Sequence, residues 1–360
     1  MERQMNNKFL EYFGQSLILS LLFLVFCSQA YAQDKLAIPV YFVTDRALVS
    51  NASTGEDYGD TQLDQGKVNF GVKNIVLVGK DIASSGSDRI TGLGWWAPSG
   101  IAPANQRPVV PNSTFTEDDM ISKITEIVLS GDSKRPLILF VHGCCQPFKD
   151  SIETAANLER AFEAPVLLYS WCSIGPTERE YRENELRQRG GSGTFYNFLS
   201  RLEAKVPPEK IVIVAHSMGN RFVHEALKTR QWNRGSNSAC PKFRDVIFAC
   251  ADVNAGDFAK DEHNIAFSCD RLVITKNNTD PALMLSKVQR GFYDRLGAPI
   301  FSLNRLLAGN DAEVYDIENL YRGDHKLPIP VLVDLVRNRE GGWQRKYGYF
   351  QKKPHLIEVR

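Results

Sequence analysis

Residues 211–227 read IVIVAHSMGNRFVHEAL, and no other stretch of the 360-residue chain restricts its folding so tightly. Ile211, Val212, Ile213 and Val214 form an unbroken β-branched run, the pattern of a strand buried on both faces. After Ala215-His216-Ser217-Met218-Gly219 the apolar spacing turns helical, with Phe222, Val223, Ala226 and Leu227 on one side. A serine held between small residues at such a strand-to-helix turn is lifted clear of the backbone and placed at the positive end of a helix. Ala215 and Gly219 are the small residues, and they let the helix pass close to the strand.

The flanking chain repeats the strand-then-helix order. Apolar runs predict strands at 137–141, 166–170, 246–251, 272–275 and 313–317, with helices at 151–162, 178–189, 281–289 and 330–337. Phe195, Phe198, Leu199 and Leu202 mark a further helix. Thr116 with Asp119 caps one that carries Ile121, Ile124, Ile127 and Val128 on a single face. The fold class is therefore α/β, a mostly parallel sheet with helices on both faces. Residues 33–115 read as a strand-rich N-terminal extension packed on the core. Strands at 40–43 and 75–78 are separated there by polar residues 50–66, and Trp95-Trp96 with the Pro/Gly-rich 97–111 form an irregular, packed surface. The expected organisation is a leader at 1–32, the extension at 33–115, the α/β domain at 116–340 and a basic, aromatic tail at 341–360.

Hydrophobic content of 43% and charged content of 24% are those of a globular chain, and a formal net charge of +1 argues against a nucleic-acid partner. Arg3 and Lys8 precede an apolar run at 17–26, and Ala30-Tyr31-Ala32 offers a small-x-small cleavage site. That is the layout of a signal peptide, with export to the periplasm or exterior and no stable membrane span in the mature chain. A retained anchor, or a lipoprotein through Cys27, is the weaker reading because the run is short and Phe26 is bulky. Cleavage leaves Cys144, Cys145, Cys172, Cys240, Cys250 and Cys269, an even number whose connectivity spacing does not fix. No CxxC pair or histidine cluster points to a metal, and no cofactor is implied. Oligomeric state is not written in the sequence.

In parallel sheets, ligands collect beyond the carboxyl ends of the strands. His142-Gly143, Ser217, Asp252, Asp280 and His325 all fall just after a strand or in the loop that follows one. Ser217 needs a base to take its proton and a carboxylate to hold that base. The chain order serine, acid, histidine selects His325, since His263 comes too early and His355 lies in the tail. Asp280 follows the second strand beyond the serine and directly precedes Pro281, which favours it as the acid; Asp252 is the alternative. Two backbone N–H groups should hold the oxyanion, one from Met218 and one from Cys144 in the loop after 137–141. His142 and His216 read as structural. A cysteine nucleophile at Cys144 or Cys145 is the rival chemistry, but it lacks the elbow. Residues 173–191, rich in Glu and Arg, are expected near the site as part of a lid.

Taken together, LILFVHGCCQPFKDSIETAANLERAF, PVLLYSWCSIG, IVIVAHSMGNRFVHEAL, ADVNAGDF and NNTDPALMLSKVQRGFYDRLG resemble the DUF900 family of bacterial α/β-hydrolases, as does VYFVTDRAL near the start. The resemblance covers about 39–336. It implies an α/β-hydrolase fold with a serine triad, falling on Ser217, on Asp280 in TDPAL and on His325 before KLPIP. Where the family commonly has an aromatic residue and an amide after HG, this chain has Cys144-Cys145-Gln146. The usual strand order of that fold would bring Cys172 within pairing reach of Cys144 or Cys145. The expected function is a secreted serine hydrolase acting on a small-molecule or lipid carboxylic ester. An acyltransferase or peptidase on the same scaffold is the alternative. A non-catalytic binding protein is disfavoured, because all three triad positions are filled.

Overall fold

The computed structural model describes residues 36–49, 58–77, 113–130, 135–175, 177–234, 241–298, 312–337 and 356–358. The leader, Trp95-Trp96, the 97–111 run and Cys240 lie outside the described residues. The chain divides into residues 1–37 with 76–107, nearly all outside the described set, and residues 38–75 with 108–360.

The strands are β1 (Leu36–Thr44), β2 (Arg46–Leu48), β3 (Tyr58–Gln62), β4 (Asn69–Leu77), β5 (Ser113–Phe115), β6 (Leu137–Val141), β7 (Val166–Ser170), β8 (Ile211–His216), β9 (Asp245–Ala249), β10 (Leu272–Lys276), β11 (Ala312–Asp316) and β12 (Leu356–Glu358). Ten of them form one sheet in the order β12-β11-β10-β9-β8-β6-β7-β1-β4-β5, while β2 and β3 make a separate antiparallel pair. Every pairing from β12 to β1 is parallel, and β4 with β5 is antiparallel. This is the α/β class read from the alternating pattern. The 33–115 stretch supplies β1, β4 and β5 to the sheet itself, and the tail supplies β12. β4 begins at Asn69, ahead of the apolar run at 75, because Asn69, Gly71, Lys73 and Asn74 hide the strand from a hydropathy reading.

The helices are α1 (Glu117–Ser130), α2 (Phe148–Phe162), α3 (Glu178–Glu203), α4 (Gly219–Arg234), α5 (Ala255–Ala266), α6 (Pro281–Gln289), α7 (Glu318–Tyr321) and α8 (Ile329–Arg337). The central strands β6, β7, β8, β9 and β10 are buried at every residue, as strands covered on both faces must be. Alternate positions such as Leu139, Tyr169, Ile213 and Phe248 join α1, α3, α4 and α5 through Ile124, Phe198, Phe222 and Phe258 in one core. On the other face α2 packs on β7 and against α8.

One helical reading needs correction. The segments predicted at 178–189 and around Phe195 are a single 26-residue helix, α3, opened by a Thr177–Glu180 capping box. It continues through Gly190-Gly191 because the glycine is spatially required. A Cβ at Gly191 would stand 3.2 Å from the Phe222 ring and 3.3 Å from the Asp45 carboxylate.

Candidate active site

The turn after β8 is strained and firmly held. Ser217 has φ 50°, a left-handed conformation that costs a residue with a Cβ about 1 kcal/mol or more. The end of β9 stabilises it: Ser217 N–H donates to Ala249 C=O (3.1 Å) and Asp252 N–H donates to Ser217 C=O (3.1 Å). The Asn220 amide adds bonds to the carbonyls of Ser217 (3.0 Å) and Ala249 (3.1 Å). Gly219 then lets α4 start against β6. A Cβ there would overlap the His142 carbonyl oxygen and come within 2.6 Å of the Val141 carbonyl oxygen. Gly143 is equally confined, since its Cβ would lie 3.0 Å from Ser217 Cβ and from His216 Nδ1.

The residues that sequence order places after β8, β10 and β11 meet in one chain of hydrogen bonds. Ser217 Oγ lies 2.9 Å from His325 Nε2, and His325 Nδ1 lies 2.6 Å from Asp280 Oδ2. A carboxylate accepts only, so His325 donates through Nδ1 and its Nε2 is left to accept from the serine hydroxyl. Asp280 is fully buried and His325 one quarter exposed. The second oxygen of Asp280 caps α6, accepting from the N–H groups of Ala282 and Leu283 at 3.0 Å each. The histidine loop is fastened by Asn277, whose amide donates to Tyr321 C=O (2.6 Å) and Asp324 C=O (2.9 Å), and by His216 Nε2, 3.1 Å from the His325 carbonyl oxygen. Burial holds His216 well below the ordinary histidine value, with the neighbouring His325 adding to the effect. His216 is therefore neutral and structural.

Among the described residues, the N–H groups of Cys144 and Met218 donate no hydrogen bond within the chain. Met218 follows Ser217 in the turn, and Gly143, which precedes Cys144, is packed so closely that its Cβ would lie 3.0 Å from Ser217 Cβ. The loop carrying Cys144 is locked from beneath. The His142 ring lies between the carbonyl oxygens of Gly143 (2.7 Å) and Trp171 (3.2 Å) and stacks on the Trp171 indole, which donates to His142 C=O (2.8 Å). Burial, with the Arg46 charge, lowers His142 to about 3. Arg46 is fully buried and donates to Gln146 C=O (2.7 Å) and Ser173 C=O (2.9 Å), tying the loops after β6 and β7 together. Asp45 beside it accepts from the Cys172 N–H at 2.6 Å. Residue patterning in the sequence did not single out this pair; only its place within VYFVTDRAL marked it.

Asp252, the alternative acid, does not meet His325. Its carboxylate accepts from Arg221 (2.8 Å), Ser286 (2.6 Å) and the Tyr181 hydroxyl. Burial opposes its ionisation, yet Arg221, Arg295, Ser286 and Tyr181 together hold it below the usual carboxylate range. Glu185 joins the same cluster, accepting from Arg221 (2.8 Å) and Arg290 (2.7 Å). Tyr181 and Glu185 belong to α3, so this part of the expected lid is joined by side-chain contacts to α4, α6 and the loop after β9.

The five described cysteines are free thiols. The pairing expected for Cys172 is not formed: its Sγ accepts from Arg187 Nη1 at 2.9 Å, while Cys144 and Cys145 face each other. Among the described residues, no group of three or more His, Cys, Asp or Glu is arranged to hold a metal, and no helix is long and apolar enough to cross a membrane.

A parallel sheet covered on both faces, with a strained serine after a central strand and an acid and a histidine after the next strands along the edge, defines the α/β-hydrolase class. Residues 117–328 match the family described as alpha/beta hydrolase of unknown function (DUF900), and the chain belongs to that family. Two solved structures are similar to parts of it. One is the monoclinic form of a Pyrobaculum calidifontis esterase, 11% identical over 58% of this chain and 77% of that one, with a TM-score of 0.33. The other is a hyperthermophilic esterase from the archaeon Pyrobaculum calidifontis, 11% identical over 62% of this chain and 93% of that one, with a TM-score of 0.34. No curated protein matches the chain.

Proposed function

We propose that this α/β-hydrolase is a serine esterase that works through a covalent acyl-enzyme. The observation that carries the reading is the unbroken chain Ser217 Oγ to His325 Nε2 to Asp280 Oδ2, at 2.9 and 2.6 Å. Ser217 Oγ attacks the ester carbonyl carbon while its proton passes to His325 Nε2. Asp280 holds the ring and stabilises the imidazolium. The carbonyl oxygen takes up negative charge between the N–H groups of Cys144 and Met218. His325 then protonates the departing alkoxide, which leaves as the alcohol. A water enters, gives its proton to His325 and attacks the acyl carbon, releasing the carboxylic acid and restoring Ser217.

Neither a metal nor an organic cofactor takes part in this sequence of steps, and the substrate class is a small-molecule or lipid ester. A fluorophosphonate probe should label wild-type chain on Ser217 and leave Ser217→Ala unlabelled. Labelling of another residue, or equal labelling of the variant, contradicts the assignment. The Arg3/Lys8 cluster, apolar run and Ala30-Tyr31-Ala32 site further support export with cleavage after Ala32. The exported chain should then begin at Gln33 on N-terminal sequencing, and an intact Met1 terminus on exported protein excludes cleavage.

A further inference from the structure

The acyl transfer uses neither thiol of the loop after β6, yet that loop carries two of them side by side. Cys144 Sγ and Cys145 Sγ lie 2.9 Å apart, both half-buried and both reduced. Adjacent side chains of an extended segment point to opposite sides. Here Cys145 adopts φ 64°, a left-handed conformation rare for a residue with a Cβ, and the two sulfurs meet. The Asn184 amide of α3 points at Cys145 Sγ from 3.8 Å. The hydrogen bond from Cys144 holds Cys145 below the ordinary thiol value, with Asn184 helping and burial and Glu180 opposing; the same bond pushes Cys144 up. The contact thus favours ionisation of Cys145 over Cys144, and the thiolate is the attacking form in exchange with disulfides.

We propose that Cys144-Cys145 is a thiol–disulfide exchange site that takes low-molecular-weight disulfides, and that closing it to a vicinal disulfide switches off the oxyanion site. The Cys145 thiolate attacks one sulfur of R–S–S–R, forming a mixed disulfide and expelling RS⁻. Cys144 sulfur then attacks the Cys145 sulfur, the second RS⁻ leaves, and the Cys144 proton ends on a released thiolate. Counted from the dithiol, the pair loses two electrons and two protons, one proton when Cys145 ionises and one from Cys144, and the two released thiolates take up those protons to become two RSH.

The geometry makes the product both disruptive and reversible. Adjacent Cα atoms are about 3.8 Å apart across a trans peptide, short of the roughly 4.4 Å at which ordinary disulfides begin. Closing the ring must therefore twist the Cys144–Cys145 peptide and the backbone of Cys144, whose N–H is one of the two proposed oxyanion donors. A bond closed under such strain is easily reduced again. This effect on turnover rests on the esterase reading; the exchange chemistry does not.

Full-length protein is treated with hydroxyethyl disulfide, digested without reduction and mapped by mass, in parallel with ester hydrolysis assays. The peptide holding Cys144 and Cys145 should lose two hydrogens, and dithiothreitol should restore them. Turnover should fall about 100-fold, the loss expected for one oxyanion donor, and should return with dithiothreitol. Cys145→Ser should keep its rate in the same reagent and form no internal link. Separate adducts, untouched thiols, or a link to Cys172 overturn the exchange site. A closed ring with an unchanged rate overturns the switch. If reduced protein hydrolyses no ester, the esterase reading has failed, and Ser217→Ala protein still reports the ring by mass.

Discussion

Asp280 offers a clean separation of catalysis from stability, because its two oxygens have different partners. Oδ2 accepts from His325, while Oδ1 accepts from the first N–H groups of α6. In Asp280→Asn the single remaining oxygen stays on the helix, where Asn caps as well as Asp. The amide NH₂ then faces His325 Nδ1, which must become an acceptor. The ring is forced into the tautomer with its proton on Nε2, and it loses the lone pair that takes the Ser217 proton. A base fixed in the wrong tautomer lowers kcat by about 10⁴, or roughly 5 kcal/mol of transition-state stabilisation. Folding stability should change little. Asp280→Ala loses the cap as well and should be less stable than Asp280→Asn by about 1 kcal/mol. Steady-state hydrolysis of a chromogenic ester and urea unfolding of the same samples measure both effects. An Asn variant within tenfold of wild type, or two variants of equal stability, refutes the reasoning. Asp252→Asn is the control, since its carboxylate does not touch His325 and the tautomer is left alone.

The space around Gly219 gives a second expectation. Ala is the better helix former by about 1 kcal/mol, but its Cβ would strike two carbonyl oxygens that cannot rotate away. Overpacking should win, and Gly219→Ala should lose about 1–3 kcal/mol in denaturant unfolding together with much of its turnover. A stabilised variant would show that α4 is not pressed against β6. Acid stability should follow His142, lowered from 6.5 to about 3 by burial, and His216, lowered in the same direction. A depressed histidine binds its proton more weakly in the fold than in the unfolded chain. The contribution of His142 is therefore complete above about pH 6.5 and falls as pH drops toward 3, by about 1.4 kcal/mol per pH unit, and His216 acts in the same direction. Unfolding free energy measured across that range should slope less steeply in His142→Asn, and an unchanged slope contradicts a buried, neutral ring.

The meeting of Ser217, Asp280 and His325 in one hydrogen-bond chain was expected because each is signalled locally: an elbow with Ala215 and Gly219, an aspartate before a helix-opening proline, a histidine in the loop beyond the last core strand. Strand order then turns positions along the chain into neighbours along one sheet edge. The supports around them were not legible, because their partners are distant. Arg46 reaches the carbonyl of Gln146 one hundred residues away, and Arg221 and Tyr181 meet at Asp252 from separate helices. Nothing in the sequence pairs these residues with one another, and the fold alone brings them together inside. The continuity of α3 was hidden for a related reason. Gly190-Gly191 reads as a break, and the packing of Phe222 that requires a small residue there becomes visible only once α3 and α4 are placed together.

The most direct test of the proposed triad is the fate of the acyl group. A chromogenic ester mixed rapidly with wild-type chain, quenched in acid and analysed by intact mass, should show an acyl adduct on Ser217 during turnover. His325→Ala should form that adduct slower by about 10³-fold or more, with folding stability near wild type. No adduct at Ser217 in actively hydrolysing protein, or undiminished acylation without His325, contradicts the central claim.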